Sequence, residues 1–242
     1  MKGIILAGGT GSRLFPLTKV TNKHLLPVGK YPMLYHPIFK LKQAGIESIL
    51  IVTGKEHMGD VVNLLGSGRE FKVTFTYKVQ DEPGGIAQAL SLARDFVGQD
   101  LMTVVLGDNI FHTDISAFVQ NFKHQRKGAK VLLKQVSDPQ RYGVAELCGE
   151  RIISIEEKPK IPKSSFAVTG IYMYDPHVFD IIRALTPSAR GELEITDVNN
   201  AYINRNQLTY DILPEWWTDA GTFDSFTQAN WLAKDIEFEI SR

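Results

Sequence analysis

Gly8-Gly9-Thr10-Gly11-Ser12-Arg13 places three glycines in four residues directly after a short apolar run, Gly3–Ala7. Glycine takes positive φ readily and lets backbone N–H groups close around an anion, so the turn has the makings of a phosphate cradle. Arg13 and, ten residues on, Lys23 add a planar guanidinium fork and a mobile ammonium for phosphate oxygens. No Gly-Lys-Ser/Thr closes the turn, and Leu14 stands where a dinucleotide fingerprint carries its third glycine. ATPase and dehydrogenase chemistry are disfavoured accordingly. Glycines alone would fit a tight turn with no ligand equally well; the two cations beside them favour an anion. Two carboxylates also stand out. Asp108 follows the apolar run Met102–Leu106, and Asp219 sits within Trp217-Thr218-Asp219-Ala220-Gly221-Thr222. Locally, each reads as well as a turn residue as a metal ligand. Glu157-Lys158-Pro159 follows Arg151–Ile155, in a segment whose charges could equally form a solvated face. Cys148, flanked by Leu147 and Gly149, has no neighbouring charge to activate it as a nucleophile.

The elements that must position these residues follow from periodicity. Continuous apolar runs at Gly3–Ala7, Ser48–Thr53, Leu101–Leu106, Ala129–Lys134 and Ala167–Tyr174 predict strands buried on both faces. Helical spacing at Pro32–Gln43, Gly85–Phe96 and Ile115–Lys127 predicts crossovers between parallel strands. The second half adds strands at Arg151–Glu156 and Leu208–Leu213 and helices at about His177–Leu185, Ile195–Asn204 and Thr222–Ile240. The fold class is α/β, with a mixed, mostly parallel central sheet between helical layers. One domain over residues 1–242 is expected, because no linker, repeat or low-complexity tract divides the chain. Ligands of such sheets bind beyond the carboxyl ends of the strands. The glycine turn, Gln80–Gly85, Gly107-Asp108-Asn109 and Glu156–Pro159 all follow strands in this way.

Composition sets the limits. The 242 residues are 43% hydrophobic and 22% charged, within the range of a globular protein with a large core. Twenty-seven basic residues balance twenty-seven acidic ones, so no broad positive field exists to gather nucleic acid. No apolar stretch reaches the roughly 18–20 residues of a membrane span, and a signal peptide is not expected. A single cysteine favours a reducing, cytoplasmic setting.

Taken together, Leu6–Leu14, Pro16-Leu17-Thr18 and Lys23–Val28 resemble the signature of the sugar-nucleotidyltransferase family, and within it the glucose-1-phosphate thymidylyltransferase branch. The resemblance continues through Val79-Gln80 with Gly84–Ala89, Val105–Phe111, Asp138–Val144, Glu156–Pro159, Ala167–Tyr172, Ser188–Asp197 and Trp217–Thr222. It implies a three-layer Rossmann-like fold. It implies that Leu6, Gly8, Gly9, Thr10, Gly11, Ser12, Arg13 and Lys23 hold a nucleoside triphosphate beside Asp108, with Gln80 and Gly85 facing the base. Asn109, Tyr142, Gly143, Glu157, Lys158, Val168, Thr169 and Trp217 would form the sugar-phosphate side, with Glu194 a further candidate. Asp108 and Asp219 would share one Mg²⁺, and Arg13, Lys23 and Lys158 would carry the catalysis. One departure is His24, where this branch usually has glutamine after the lysine.

The implied reaction is displacement of pyrophosphate from dTTP by glucose 1-phosphate, giving dTDP-glucose. The alternatives are UTP or another sugar 1-phosphate in the same reaction, or a silent subunit that only senses nucleotide sugars. A homo-oligomer acting on small molecules, with no nucleic-acid or membrane partner, is expected. The resemblance further implies that longer thymidylyltransferases carry a C-terminal helical segment that helps form a separate site where the pathway's end product binds and inhibits. With the sequence ending at Arg242, feedback by dTDP-rhamnose at that location is expected to be weak or absent.

Overall fold

The computed structural model describes residues 1–240. The first half runs β1 (Lys2–Ala7), a small hairpin of β2 (Pro27–Val28) and β3 (Tyr31–Pro32), α1 (Tyr35–Gln43), β4 (Ser48–Gly54), α2 (Met58–Leu65), β5 (Thr74–Gln80), α3 (Ile86–Ser91), α4 (Arg94–Val97), β6 (Met102–Leu106), β7 (Asn109–Phe111) and α5 (Ser116–Gln125). The second half continues with β8 (Ala129–Gln135), β9 (Gly143–Cys148), β10 (Arg151–Glu157), β11 (Phe166–Tyr174), α6 (Val178–Arg183), α7 (Ile195–Asn204), β12 (Leu208–Ile212), β13 (Trp217–Asp219) and α8 (Phe223–Leu232).

Nine strands form one sheet in the order β10-β9-β11-β6-β1-β4-β5, with β8 on the other edge of β11 and β12 beyond it. β6, β1, β4 and β5 are mutually parallel, and β11 turns against β6. Only β10 and β11 run against the rest, so the mixed, mostly parallel sheet is as expected. The apolar strands have helices on both sides. Ile4 and Leu6 of β1 face a layer containing residues of α3, α6 and α7, while Ile5 and Ala7 face one built with α1, α2 and α5. Alternate side chains leave a strand on opposite faces, which is why β1 is apolar at each successive position from Ile4 to Ala7 rather than at every second one.

Three predicted helices differ. Pro32–Gln43 begins only at Tyr35, because Pro32 closes the β2–β3 hairpin. Gly85–Phe96 divides into α3 and α4 around Leu92 and Ala93. Thr222–Ile240 starts as expected, with Thr222 and Ser225 forming a reciprocal cap, but it ends at Leu232. The rest of that apolar pattern serves a different surface. The Phe238 ring stacks on Phe39 of α1 at 4.2 Å, and the Phe238 amide donates to the Tyr31 hydroxyl. The implied end of the chain at Arg242 lies outside the described residues.

His36 of α1 is buried beneath this aromatic layer, its Nε2 3.0 Å from the Val28 carbonyl oxygen, and burial pushes its pKa down to about 4. The unfolded chain takes up a proton near pH 6.5 that the folded chain refuses, so stability rises with pH across the interval between these values. In thermal or denaturant unfolding from about pH 7 to about pH 5, His36→Gln should lose roughly 2 kcal/mol less than the wild type. Parallel profiles for the two proteins would show that His36 titrates normally.

Candidate functional site

β11 is the strand around which the site opens. On one edge it pairs with β9 through Ala167 and Val168, then with β6 through Ile171–Tyr174; on the other, its register with β8 shifts between Val168 and Tyr172. Thr169 and Gly170 fall in the gap between the β9 and β6 ladders, and Asn109 fills it. Its Oδ1 accepts from Gly170 N at 2.8 Å and Trp217 Nε1 at 2.7 Å, while its Nδ2 donates to Asp108 Oδ1 at 3.1 Å. A Cβ on Gly170 would lie 2.5 Å from Asn109 Nδ2, so glycine is what allows this approach. The strand ends part here, and a cavity of about 570 Å³ opens between them.

Not all of the glycine turn lines that cavity. Leu6, Gly8, Gly9 and Arg13 do, with Lys23, Gln80, Gly85 and Asp108. Thr10, Gly11 and Ser12 do not, against expectation. Thr10 and Ser12 are exposed, and Gly11, in a left-handed conformation at φ 63°, starts the short 3-10 turn Ser12–Leu14 and accepts a hydrogen bond from Thr18 Oγ1. Asn109, Tyr142, Gly143, Glu157, Lys158, Val168, Glu194 and Trp217 line the cavity as well. Thr169 is a correction: it is fully buried and its Oγ1 donates to the Leu132 carbonyl at 2.8 Å, away from the cavity. Val168, Gly170 and Tyr172 line the cavity, so strand alternation turns Thr169 to the other face of β11. Trp217–Asp219, which reads locally as a turn, is a strand paired antiparallel with Asn109–Phe111, and this pairing brings Asp219 opposite Asn109.

The side chains sequence reasoning passed over are Arg141, Tyr172, Arg190 and Thr196, all lining the cavity. Arg141 Nη1 donates to Asp138 Oδ2 at 2.9 Å and its Nη2 to Asp219 Oδ1 at 3.2 Å. Arg190 grips Glu194, with Nη2 2.8 Å from Oε2, and lies 3.7 Å from Glu157; Thr196 donates to Glu157 at 2.7 Å. The spacing of Asp138 and Arg141, three residues apart, was the available signal for the first of these pairs. Lys158 has a left-handed backbone at φ 45°, rare for a side-chain-bearing residue, and its N–H donates to the Tyr142 carbonyl at 2.9 Å. Such a conformation persists only where surrounding contacts hold it, and it clusters at binding sites.

Electrostatically the cavity is a set of closed pairs. Lys23 Nζ lies 2.5 Å from Asp108 Oδ2, both side chains largely buried. Burial by itself would raise the Asp108 carboxyl, but the charge and hydrogen bond of Lys23 outweigh it and hold the group well below the usual carboxylate range. Asp219 goes the other way: burial and the nearby Asp108 charge raise it, with Arg141 opposing. Burial, then Asp219, also raises the Tyr142 phenol, which donates to Asp219 Oδ1 at 3.1 Å. His24 is completely buried between these groups, its Nδ1 2.7 Å from Asn22 Oδ1; burial and Lys23 push its pKa down to about 3. It therefore stands as a neutral ring rather than a further cation at neutral pH.

Asp108 and Asp219 suit Mg²⁺ as a donor set. The Ala220 amide donates to the Asp108 carbonyl at 2.8 Å, tying the two segments together, and the Asp108 charge raises the Asp219 carboxyl, so the two carboxylates act on one another across the cavity. No group of three or more His, Cys, Asp or Glu placed to hold a metal occurs among the described residues. Two carboxylates leave the remaining positions to phosphate oxygens and water, which is how Mg²⁺ is commonly held.

A family model described as nucleotidyl transferase matches residues 2–235. Among curated proteins, the glucose-1-phosphate thymidylyltransferase of Mycolicibacterium smegmatis is 45% identical over 241 residues, covering 98% of this chain and 83% of that protein. The Neisseria meningitidis protein of the same name is 46% identical over 235 residues, covering 95% and 81%. A Bacillus anthracis protein, provisionally named a glucose-1-phosphate thymidylyltransferase and solved in complex with sucrose, superposes with a TM-score of 0.95 at 66% identity, covering 98% of this chain and 97% of that one. A UDP-glucose pyrophosphorylase solved with UDP-glucose shares the fold at a TM-score of 0.85 and 24% identity, covering 96% and 97%.

Replacing Asn109 by leucine should leave the Gly170 N–H and the Trp217 indole N–H buried without an acceptor. Each such loss costs about 1–3 kcal/mol, so Asn109→Leu should lower unfolding free energy by at least about 2 kcal/mol and alter the emission of buried Trp217. Unchanged stability and emission would mean that another group closes the gap in the sheet.

Proposed function

From the premise that the chain belongs to the nucleotidyl transferase family, we propose that it transfers a thymidylyl group from dTTP to glucose 1-phosphate, releasing pyrophosphate. What carries this reading is that one cavity is lined both by Gly8, Gly9, Arg13 and Lys23 of the N-terminal half and by Lys158 and Arg190 of the C-terminal half, groups suited to hold two phosphates. The names of relatives at 45% and 46% identity support the choice of dTTP and glucose 1-phosphate. The same reading takes residues 1–242 as one domain, nucleotide mainly in the N-terminal half and sugar phosphate mainly in the C-terminal half. It takes the protein as cytoplasmic and homo-oligomeric, acting on small molecules. Among the described residues no helix is long and apolar enough to cross a membrane.

In the proposed reaction a phosphate oxygen of glucose 1-phosphate attacks the α-phosphorus of dTTP. One P–O bond forms as the bond from that phosphorus to the bridging oxygen breaks, and the electron pair leaves on pyrophosphate. The attacking oxygen is already ionised at neutral pH, so no side chain has to remove a proton and no protein nucleophile intervenes. Catalysis consists of aligning two polyanions and offsetting their repulsion. Arg13, which makes no ion pair among the described residues, is open to the triphosphate, and Lys23 can follow the departing charge once released from Asp108. Lys158 meets the monoester phosphate, while Glu157 is oriented by Thr196 to accept from sugar hydroxyls. Asp108 and Asp219 would hold Mg²⁺, which neutralises phosphate charge when bound.

Pyrophosphate release across dTTP, UTP, dCTP and dATP, each with several sugar 1-phosphates, tests this directly. The dTTP and glucose 1-phosphate pair should give the highest kcat/KM; release with no pair would overturn the reading.

The two sets of groups should also fail separately. Arg13→Ala should raise KM for dTTP and Lys158→Ala KM for glucose 1-phosphate, each lowering kcat/KM by roughly 100-fold, as for removal of one preorganised donor. Calorimetry in which Lys158→Ala weakened nucleotide binding alone would reverse the assignment of the two sets.

A further inference from the structure

One stretch of the cavity carries no charge. Leu6, Ile86, Ala89 and Leu106 line it and belong to a single apolar cluster. Gln80, the last residue of β5 and only 7% exposed, also lines the cavity, and its hydrogen bond to Gln88 sets it beside α3, which carries Ile86 and Ala89. The flat, uncharged part of a nucleoside triphosphate is its base, which is read through hydrogen bonds at its edge. On the reading of this cavity as a dTTP site, Gln80 is therefore placed against the base.

A glutamine amide can offer an oxygen or an NH₂, and which one it offers depends on what holds the other end. Here Gln80 Nε2 donates to Gln88 Oε1 at 2.6 Å. Gln80 Oε1 then lies toward Gly8, only 2.5 Å from where a Cβ on that residue would be. Gly84 gives Gln88 the matching clearance, since a Cβ there would meet Gln88 Cγ at 3.0 Å. Neither glycine has a positive φ. Their missing side chains leave room for the two amides, which ties two glycines of separate motifs to one hydrogen bond.

We infer that Gln88 is a positioning residue for nucleotide selection: by engaging Gln80 Nε2 it leaves Gln80 Oε1 as the acceptor for the N3–H of thymine or uracil, and so sets the preference against cytosine. At that position cytosine presents a lone pair instead of a proton, and two acceptors face one another in a buried setting. Built-in mismatch of this kind discriminates more strongly than apolar contact does. Gln88 acts only through Gln80 and is not itself among the residues lining the cavity.

The test is binding of dTTP and dCTP, with Mg²⁺, to the wild type, Gln88→Met, Gln88→Glu and Gln88→Lys by calorimetry. Wild type should prefer dTTP. Gln88→Met, which frees the Gln80 amide to rotate, should lower the dTTP to dCTP affinity ratio about tenfold, mainly through weaker dTTP binding. Gln88→Glu can only accept and should keep the ratio within about twofold. Gln88→Lys can only donate, turns the amide round and should lower the ratio at least as far as Gln88→Met; it carries the test should Gln88→Met not fold. A ratio unchanged in Gln88→Met and Gln88→Lys, an equal fall in Gln88→Glu, or a wild type without preference would each overturn the inference. A wild type that selects dTTP but releases no pyrophosphate with glucose 1-phosphate would overturn the proposed reaction alone, and Gln88 would still be judged by the ratios.

Discussion

A single carboxamide joins the parts of this protein that matter for its chemistry. Asn109 Oδ1 accepts from the backbone of β11 and from the indole of Trp217, while its Nδ2 holds Asp108. These bonds connect the central antiparallel strand, the short ribbon of β7 and β13, and the carboxylate at the end of β6. Asn109 is 2% exposed, where unmet donors and acceptors are expensive, so the three elements are held in one arrangement. The resemblance had implied that it contacts the sugar phosphate. With its oxygen accepting two hydrogen bonds inside the protein, we assign it instead to holding Asp108 and Trp217 in position.

The second constraint is electrical. Lys23 answers Asp108, Arg141 answers Asp219, and Arg190 answers Glu194 and Glu157. A cavity meant for polyanions would otherwise gather like charges with nothing between them, which would weigh against folding. Pairing removes that repulsion in the absence of substrate. On the reaction we propose, binding would be an exchange of partners, with phosphate displacing the Asp108 carboxylate from Lys23 before that ammonium can serve it. His24, kept neutral by burial, adds a ring to the wall without upsetting this balance.

Much of the sheet was legible because strands covered on both faces carry runs of consecutive apolar residues, as in Ile4–Ala7 of β1, Ile49–Val52 of β4, Val104–Leu106 of β6 and Ile171–Tyr174 of β11. The glycine turn, Lys23, Asp108, Glu157-Lys158 and Asp219 were legible as motifs, and the fold gathers them at one cavity. What escaped was whatever depends on pairing at a distance. β7 and β13 are three-residue strands that look like turns until each finds the other. β9 carries Glu146, which is satisfied by Lys163 and Ser154 and interrupts an otherwise apolar run. Thr169 is a different case: it sits in the middle of a matched motif, but between Val168 and Gly170, which line the cavity, strand alternation turns it to the other face. Arg141 and Arg190 have ordinary surface-like neighbours in the sequence, and only the carboxylates they reach across the fold mark them out.

The parting of the sheet along β11 has a bearing on how such a protein can change. The walls of the cavity hang from the β9 and β6 ladders that follow one another along one edge of that strand, so the line along which two substrates would meet is drawn by the main chain. The groups that touch each substrate are side chains on those walls, apart from the knot at Asn109. Exchanging one of them reshapes the seat for a base or a sugar without moving the frame that aligns the phosphates. Alignment and selectivity are thus inherited separately: the former belongs to the ladders and their one asparagine, the latter to a lining that evolution can replace piece by piece.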